Sequence, residues 1–144
     1  MGDDFNNFFV CIHNRFYSWF FNGGFDLTDA VAMSKFFESR RPFDTVLHCA
    51  ASTNSKDMNW DIADINLTMY YNLLKFKQYY NKLIHFGSGA ETHLPDTPYG
   101  YSKKVIAKSI LHQDNFHNIK IFGLFDENEL AITFLLYPYG VSGK

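Results

Sequence analysis

Two short apolar runs on either side of one helix-length segment constrain this chain more than any other feature. Thr45-Val46-Leu47-His48-Cys49-Ala50 is nearly continuous in apolar character, the pattern of a strand buried within a parallel sheet. Lys82-Leu83-Ile84-His85-Phe86-Gly87 reads as the next strand. Between them, from about Asn59 to Tyr80, Ile62, Ile65, Met69, Leu73 and Phe76 recur three and four apart. That is the spacing of a helix with one buried side. Strand, helix and strand in this order make a βαβ unit, so the strands run parallel.

The flanking segments extend the same scheme. Ala30 to about Ser39 reads as a helix capped by Thr28 or Asp29, with Val31, Met33, Phe36 and Phe37 on its buried side. Arg40-Arg41 suits its C-terminus and Pro42 stops it. Phe8 to His13 reads as a strand, Phe16 to Phe21 is a second aromatic run, and Asn22-Gly23-Gly24 signals a turn. Downstream, Asn118 to Phe125 reads as a strand and Asp126 to Glu129 as an acidic turn. Ala131 to Tyr137 is apolar, either a last strand or a tail packed on the core. The class is α/β, a parallel sheet with helices on its faces. Ligands of such sheets bind outside the carboxyl ends of the strands. Ala50-Ala51, Ser88 and the loop into Tyr99 all lie at those ends.

A further helix starts at Thr97-Pro98-Tyr99-Gly100-Tyr101-Ser102-Lys103-Lys104 and runs to about His112. Thr97 suits the cap and Pro98 the first helical position, where a missing N–H costs nothing. Tyr99 and Lys103 then share a face. An ammonium beside a phenol, near the positive end of a helix, favours the ionised phenol. To act as a base near neutrality the phenol must titrate roughly 3 pH units, about 4 kcal/mol, below a free tyrosine. Alone, such a pair reads first as part of a solvated helix. Its place at the strand ends makes it a candidate for chemistry.

Composition excludes several classes. The chain has 144 residues, 47% hydrophobic and 19% aromatic, which supports one packed domain rather than disorder. A net charge of −2 gives no reason to expect a nucleic-acid partner. No apolar run has the length of a membrane span, and no basic start marks a signal peptide. Cys11 and Cys49 are too few for a disulfide framework, so a reduced cytoplasmic setting is expected. The six histidines lack metal-site spacing, and no metal site is expected.

One ordered set remains. It is Asp26-Leu27-Thr28-Asp29, His48-Cys49-Ala50-Ala51, Asn66, Phe86-Gly87-Ser88-Gly89-Ala90-Glu91, Tyr99-Gly100-Tyr101-Ser102-Lys103 and Lys120-Ile121-Phe122-Gly123-Leu124-Phe125. Over about residues 25–126 this resembles the extended short-chain dehydrogenase/reductase family, in its nucleotide-sugar epimerase/dehydratase branch. The resemblance implies a Rossmann-like fold binding NAD or NADP and a nucleotide-linked sugar as substrate. It implies Tyr99 as catalytic acid/base, Lys103 lowering its pKa and holding the nicotinamide ribose, and Ser88 orienting the reacting hydroxyl or carbonyl. It also implies that Asp26 and Leu27 border the adenine, that Cys49, Ala50 and Ala51 pass close to the dinucleotide, and that Asn66 and Phe122 lie near it. Each has a plainer reading: Asp26 as a turn residue, Ala50-Ala51 as strand-end packing, Ser88 as a turn residue, Cys49 as a small filler, Asn66 bonding within its helix, and Phe122 in the core.

The sequence departs from the family pattern in its first unit. Neither G-x-x-G-x-x-G nor G-x-G-x-x-G occurs, and Gly23-Gly24 stand directly ahead of Asp26. In that family the missing turn presents backbone N–H groups to pyrophosphate. Three parts are therefore expected: an unassigned segment 1–24, a partial dinucleotide-binding domain 25–126 and a short apolar tail 127–144, truncated at both ends. Phe8 to His13 is the candidate to stand in for the first strand. The alternative to an enzyme is a non-catalytic remnant that serves as an interaction module. A weaker expectation is a homodimer in which two chains complete one sheet.

Overall fold

The computed structural model describes residues 8–12, 15–16, 26–39, 42–53 and 58–122. Five strands form one sheet: β1 (Phe8–Ile12), β2 (Arg15–Phe16), β3 (Phe43–His48), β4 (Tyr80–Ser88) and β5 (Phe116–Ile121). Their spatial order is β2-β1-β3-β4-β5. β1, β3, β4 and β5 are mutually parallel, and β2 returns antiparallel on β1. The helices are α1 (Ala30–Glu38), α2 (Asp61–Lys75), the single turn α3 (Ala90–His93) and α4 (Pro98–Ile110). The architecture is the expected one, a parallel Rossmann-like sheet flanked by helices.

β1 lies directly beside β3, with Phe8 opposite Thr45 and Cys11 opposite His48. The aromatic N-terminal run therefore fills the position left for a first strand. Without it β3 would present an unpaired edge.

Helix starts follow their cap residues. Asp29 caps α1, its carboxylate accepting from the N–H groups of Val31 and Ala32. Thr97 caps α4, its Oγ1 accepting from Gly100 N at 3.1 Å, with Pro98 in the first turn. The Thr97 hydroxyl also donates to Leu94 O at 2.8 Å. α4 is thereby tied to the segment leaving α3.

The core gathers Leu27, Met33, Phe36 and Phe37 with Phe43 and Val46 of β3, Met69 and Leu73 of α2, and Leu83 of β4. A second cluster joins Tyr70 of α2 to Ile106 and Ile110 of α4. Val31, expected on the buried side of α1, is exposed; Met33, Phe36 and Phe37 alone cover the sheet. α2 ends at Lys75 and a 3₁₀ turn, Lys77–Tyr79, leads into β4. Packing explains the early stop. Phe76 and Tyr79 both stack on Phe37, at 5.4 and 5.8 Å between centroids, and the Tyr80 hydroxyl donates to Leu73 O at 2.8 Å. Ile65 and Phe76 are only half-buried. β5 begins at Phe116, earlier than the apolar run suggested. His13, residues 17–21 of the second aromatic run, residues 123–125 of the expected last strand, and Ala131–Tyr137 lie outside the described residues. Among the described residues no helix is long and apolar enough to cross a membrane.

α4 approaches α3 so closely that Gly100 is required. A β-carbon there would collide with the carbonyl oxygen of Leu94 and come within 2.8 Å of Ala90 O. Backbone cannot yield as a flexible side chain can, so Gly100→Ala is expected to cost about 1–3 kcal/mol. Urea unfolding checks this, with the exposed Lys108→Ala as a control expected to stay within about 0.5 kcal/mol.

Candidate functional site

The site forms where β4 ends. Gly87 and Ser88 close the strand, Gly89 turns the chain, and α3 folds back. The Ser88 hydroxyl accepts from Ala90 N at 3.2 Å. Ser88 N donates to Glu91 Oε1 at 3.0 Å. A β-carbon on Gly87 would strike that same Oε1 and the amide oxygen of Asn118, so glycine is needed for the carboxylate to sit there.

Tyr99 and Lys103 stand one turn apart on α4. Lys103 is only 3% exposed. Its Nζ donates to Phe86 O at 2.9 Å and lies 5.8 Å from the centroid of the Tyr99 ring. Burial lowers Lys103 to about 8, while Glu91 and Cys49 pull it back up. The Tyr99 phenol is half-buried. Burial raises it, hydrogen bonding to the Ser88 side chain draws it down, and Glu91 raises it again. Ser88, Tyr99 and Lys103 are thus brought together. The expected depression of the Tyr99 phenol is not found. The ammonium is held by the Phe86 carbonyl over the face of the ring, and burial is the largest influence on the phenol.

The other expected residues divide. Ala50 is buried, Ala51 half-buried and Cys49 exposed, all just past the end of β3. Asn66 is 2% exposed and fully engaged. Its Oδ1 accepts from Ser52 N at 2.7 Å, and its Nδ2 donates to Ser52 O and Ser102 Oγ, both at 3.1 Å. Ser102 in turn donates to Tyr99 O at 2.8 Å. Rather than bonding within its own helix, Asn66 ties the loop after β3 to the Tyr-Lys helix. Asp26 is exposed, and its Oδ1 accepts from Thr28 N and Thr28 Oγ1, each at 2.8 Å. That is a turn made by the aspartate on its own chain. The Leu27 side chain is wholly in the core, and its carbonyl accepts from Asn72 Nδ2 at 2.9 Å. Phe122 is exposed past the end of β5, edge-on to His93, so it is not a core residue.

Three groups escaped the sequence reading. Glu91, 7% exposed, pairs through Oε2 with Lys120 at 3.1 Å. His48 and His85 are the other two. They sit in register on β3 and β4, both buried, with their Nδ1 atoms 3.0 Å apart. One ring must donate its proton and the other accept it. Among the described residues neither Nε2 has a partner. Burial, then the nearby Lys103, lowers His48 to about 3. Burial, then His48 and Lys103, holds His85 well below the usual range. Both rings are therefore neutral near pH 7 and add no repulsion to the buried ammonium. The only signal in the sequence was one histidine in each of two consecutive strands, and it became meaningful only once register was known. Among the described residues no three His, Cys, Asp or Glu side chains gather as a metal site.

A parallel sheet flanked by helices, with a Ser, Tyr and Lys collected at the carboxyl ends of its strands, defines an α/β protein of Rossmann-like type. The chain belongs to the NAD dependent epimerase/dehydratase family, which it matches over residues 19–125. In structure it is similar to the Bordetella bronchiseptica enzyme WbmG, solved in complex with NAD and UDP, with a TM-score of 0.57 at 20% identity. The likeness covers 78% of this chain and 44% of that one, so the chain spans less than half of that enzyme's length. At this identity the likeness shows the fold alone. No curated protein matches the chain.

The histidine pair gives stability a pH dependence of known sign. Folded pKa values lie below the unfolded 6.5, so the unfolded chain binds more protons between 6.5 and about 3. The pair's contribution is complete above pH 6.5 and is lost as pH falls toward 3. Removing both rings, as His48→Leu with His85→Leu, should flatten this loss relative to the parent. His85→Leu alone strands His48 without its partner and should cost about 1–3 kcal/mol at pH 7. Urea midpoints measured from pH 7.5 to 4.5 separate these cases. Equal slopes in parent and double variant would refute the assignment.

Proposed function

We propose that this chain supports NAD(P)-linked oxidation and reduction at a carbinol or carbonyl carbon of a nucleotide-linked sugar, with Tyr99 moving the proton. The carrying observation is the cluster itself: Ser88, Tyr99 and a 3% exposed Lys103 at one strand end. The nicotinamide end of the cofactor fits these residues. Lys103 Nζ spends one donor on Phe86 O and retains others for ribose hydroxyls. The alanines after β3 let backbone approach closely. When bound, the nicotinamide supplies a hydride acceptor or donor. The protein supplies the proton traffic and the orientation.

Both titrating groups favour one direction at neutral pH. Tyr99 is raised and holds its proton. Lys103, at about 8, is mostly an ammonium. A neutral phenol beside a cation is set to donate to an alkoxide forming from a carbonyl, as general acid. The Ser88 hydroxyl donates to the same oxygen. The reverse reaction needs the phenolate, which the Lys103 ammonium must stabilise, and that ammonium is itself lost as pH rises through about 8.

A non-catalytic interaction module is the second reading, favoured by the lack of a glycine-rich turn in the sequence. One experiment separates the two. Under the first, micromolar protein enhances NADH or NADPH fluorescence, and Tyr99→Phe keeps that binding while lowering turnover of a UDP-sugar at least about 100-fold. Lys103→Met should weaken the cofactor signal as well. Folded protein that leaves both cofactors' fluorescence unchanged would favour the module.

A further inference from the structure

We propose that Glu91, locked to Lys120, is the positioning residue of this site: its carboxylate fixes the Ser88 turn and sets its charge against Tyr99 and Lys103. This deepens the reading of Ser88, Tyr99 and Lys103 as the reacting set and rests on it.

The geometry is that of a built seat. Glu91 Oε1 accepts from Ser88 N at 3.0 Å and from Asn118 Nδ2 at 3.4 Å. Oε2 pairs with Lys120 Nζ at 3.1 Å, and the carboxylate side chain is 5% exposed. Gly87 leaves the space that the carboxylate occupies. The carboxylate carried by α3 is therefore held from β4 and β5 at once. A buried carboxylate without such partners would be costly to keep out of water. The bond to Ser88 N sets the turn from which the Ser88 hydroxyl reaches toward the phenol. Ala90 N, on the other side, fixes that hydroxyl at 3.2 Å. Loss of Glu91 would free the turn at the point where orientation matters.

The charge matters as well as the bond. Glu91 raises both Tyr99 and Lys103. It opposes the burial that would strip Lys103 of its proton. The other groups facing this pair are His48 and Cys49 from β3 and its following loop, His85 and Ser88 from β4, and Lys120 from β5, the last through Glu91. The histidines are neutral near pH 7. Among the described residues Glu91 is thus the one acidic group whose charge is felt at both Tyr99 and Lys103.

Glu91→Gln separates the two roles. Glutamine keeps an acceptor for Ser88 N and removes the charge. The test is a pH titration of the Tyr99 ring in protein labelled at tyrosine Cζ, with the Tyr99 signal assigned by its loss in Tyr99→Phe. It is read without cofactor, so a protein that never binds NAD can still pass or fail. The Tyr99 midpoint is expected at lower pH in Glu91→Gln than in the parent. A folded Glu91→Gln with an unmoved midpoint overturns the proposal, because a merely structural glutamate would not move it. Should Glu91→Gln not fold, Lys120→Met decides. It leaves the carboxylate charge less compensated and should raise the midpoint; no change there overturns the proposal.

Discussion

Everything at this site depends on one amine taken out of water. Lys103 enters the interior from α4 and donates to the carbonyl of Phe86, near the end of β4. Burying an ammonium is costly unless the interior supplies partners. Here the partners are a backbone oxygen, the face of the Tyr99 ring and the field of Glu91. The bond also fixes α4 against the sheet, so that the phenol one turn earlier meets the serine that closes β4. Fold and chemistry share one constraint.

The surroundings are arranged to tolerate that cation. Two histidines lie under it, and both stay unprotonated because they are buried beside each other and beside Lys103. Their shared proton lies between adjacent parallel strands, and charging either ring would set it against the ammonium. Glu91 supplies compensating charge and is itself held by Lys120. Asn66 completes the frame by joining the loop after β3 to Ser102. The result is a site whose proton-bearing groups sit in a fixed field, with electrostatics prepared by the fold rather than by solvent.

What could be read from the sequence was local. The apolar run at 45–50, the three-and-four spacing from Ile62 to Leu73 and the Thr97-Pro98 start each depend on near neighbours, and each appears in the structure close to where it was expected. The Tyr99–Lys103 pair was legible for the same reason, since a helix fixes which residues share a face. What escaped depends on register and on distant chain segments. His48 meets His85 only because β3 and β4 align so that they stand opposite. Glu91 meets Lys120 only because β5 lies next to β4. The sign of the Tyr99 shift also escaped, because the spacing of a phenol and an amine says nothing of how much water surrounds them. Asp26 and Leu27 were legible only as motif members; what their side chains do in the fold, one closing a turn and the other filling the core, was not.

The direct measurement is the titration of Lys103 itself. Protein labelled at lysine Cε, with the Lys103 signal assigned by its loss in Lys103→Met, would be followed by NMR from pH 6 to 11. A midpoint lowered to about 8 is expected for this buried amine. A midpoint at the ordinary 10.5 would place the ammonium in solvent and contradict the account.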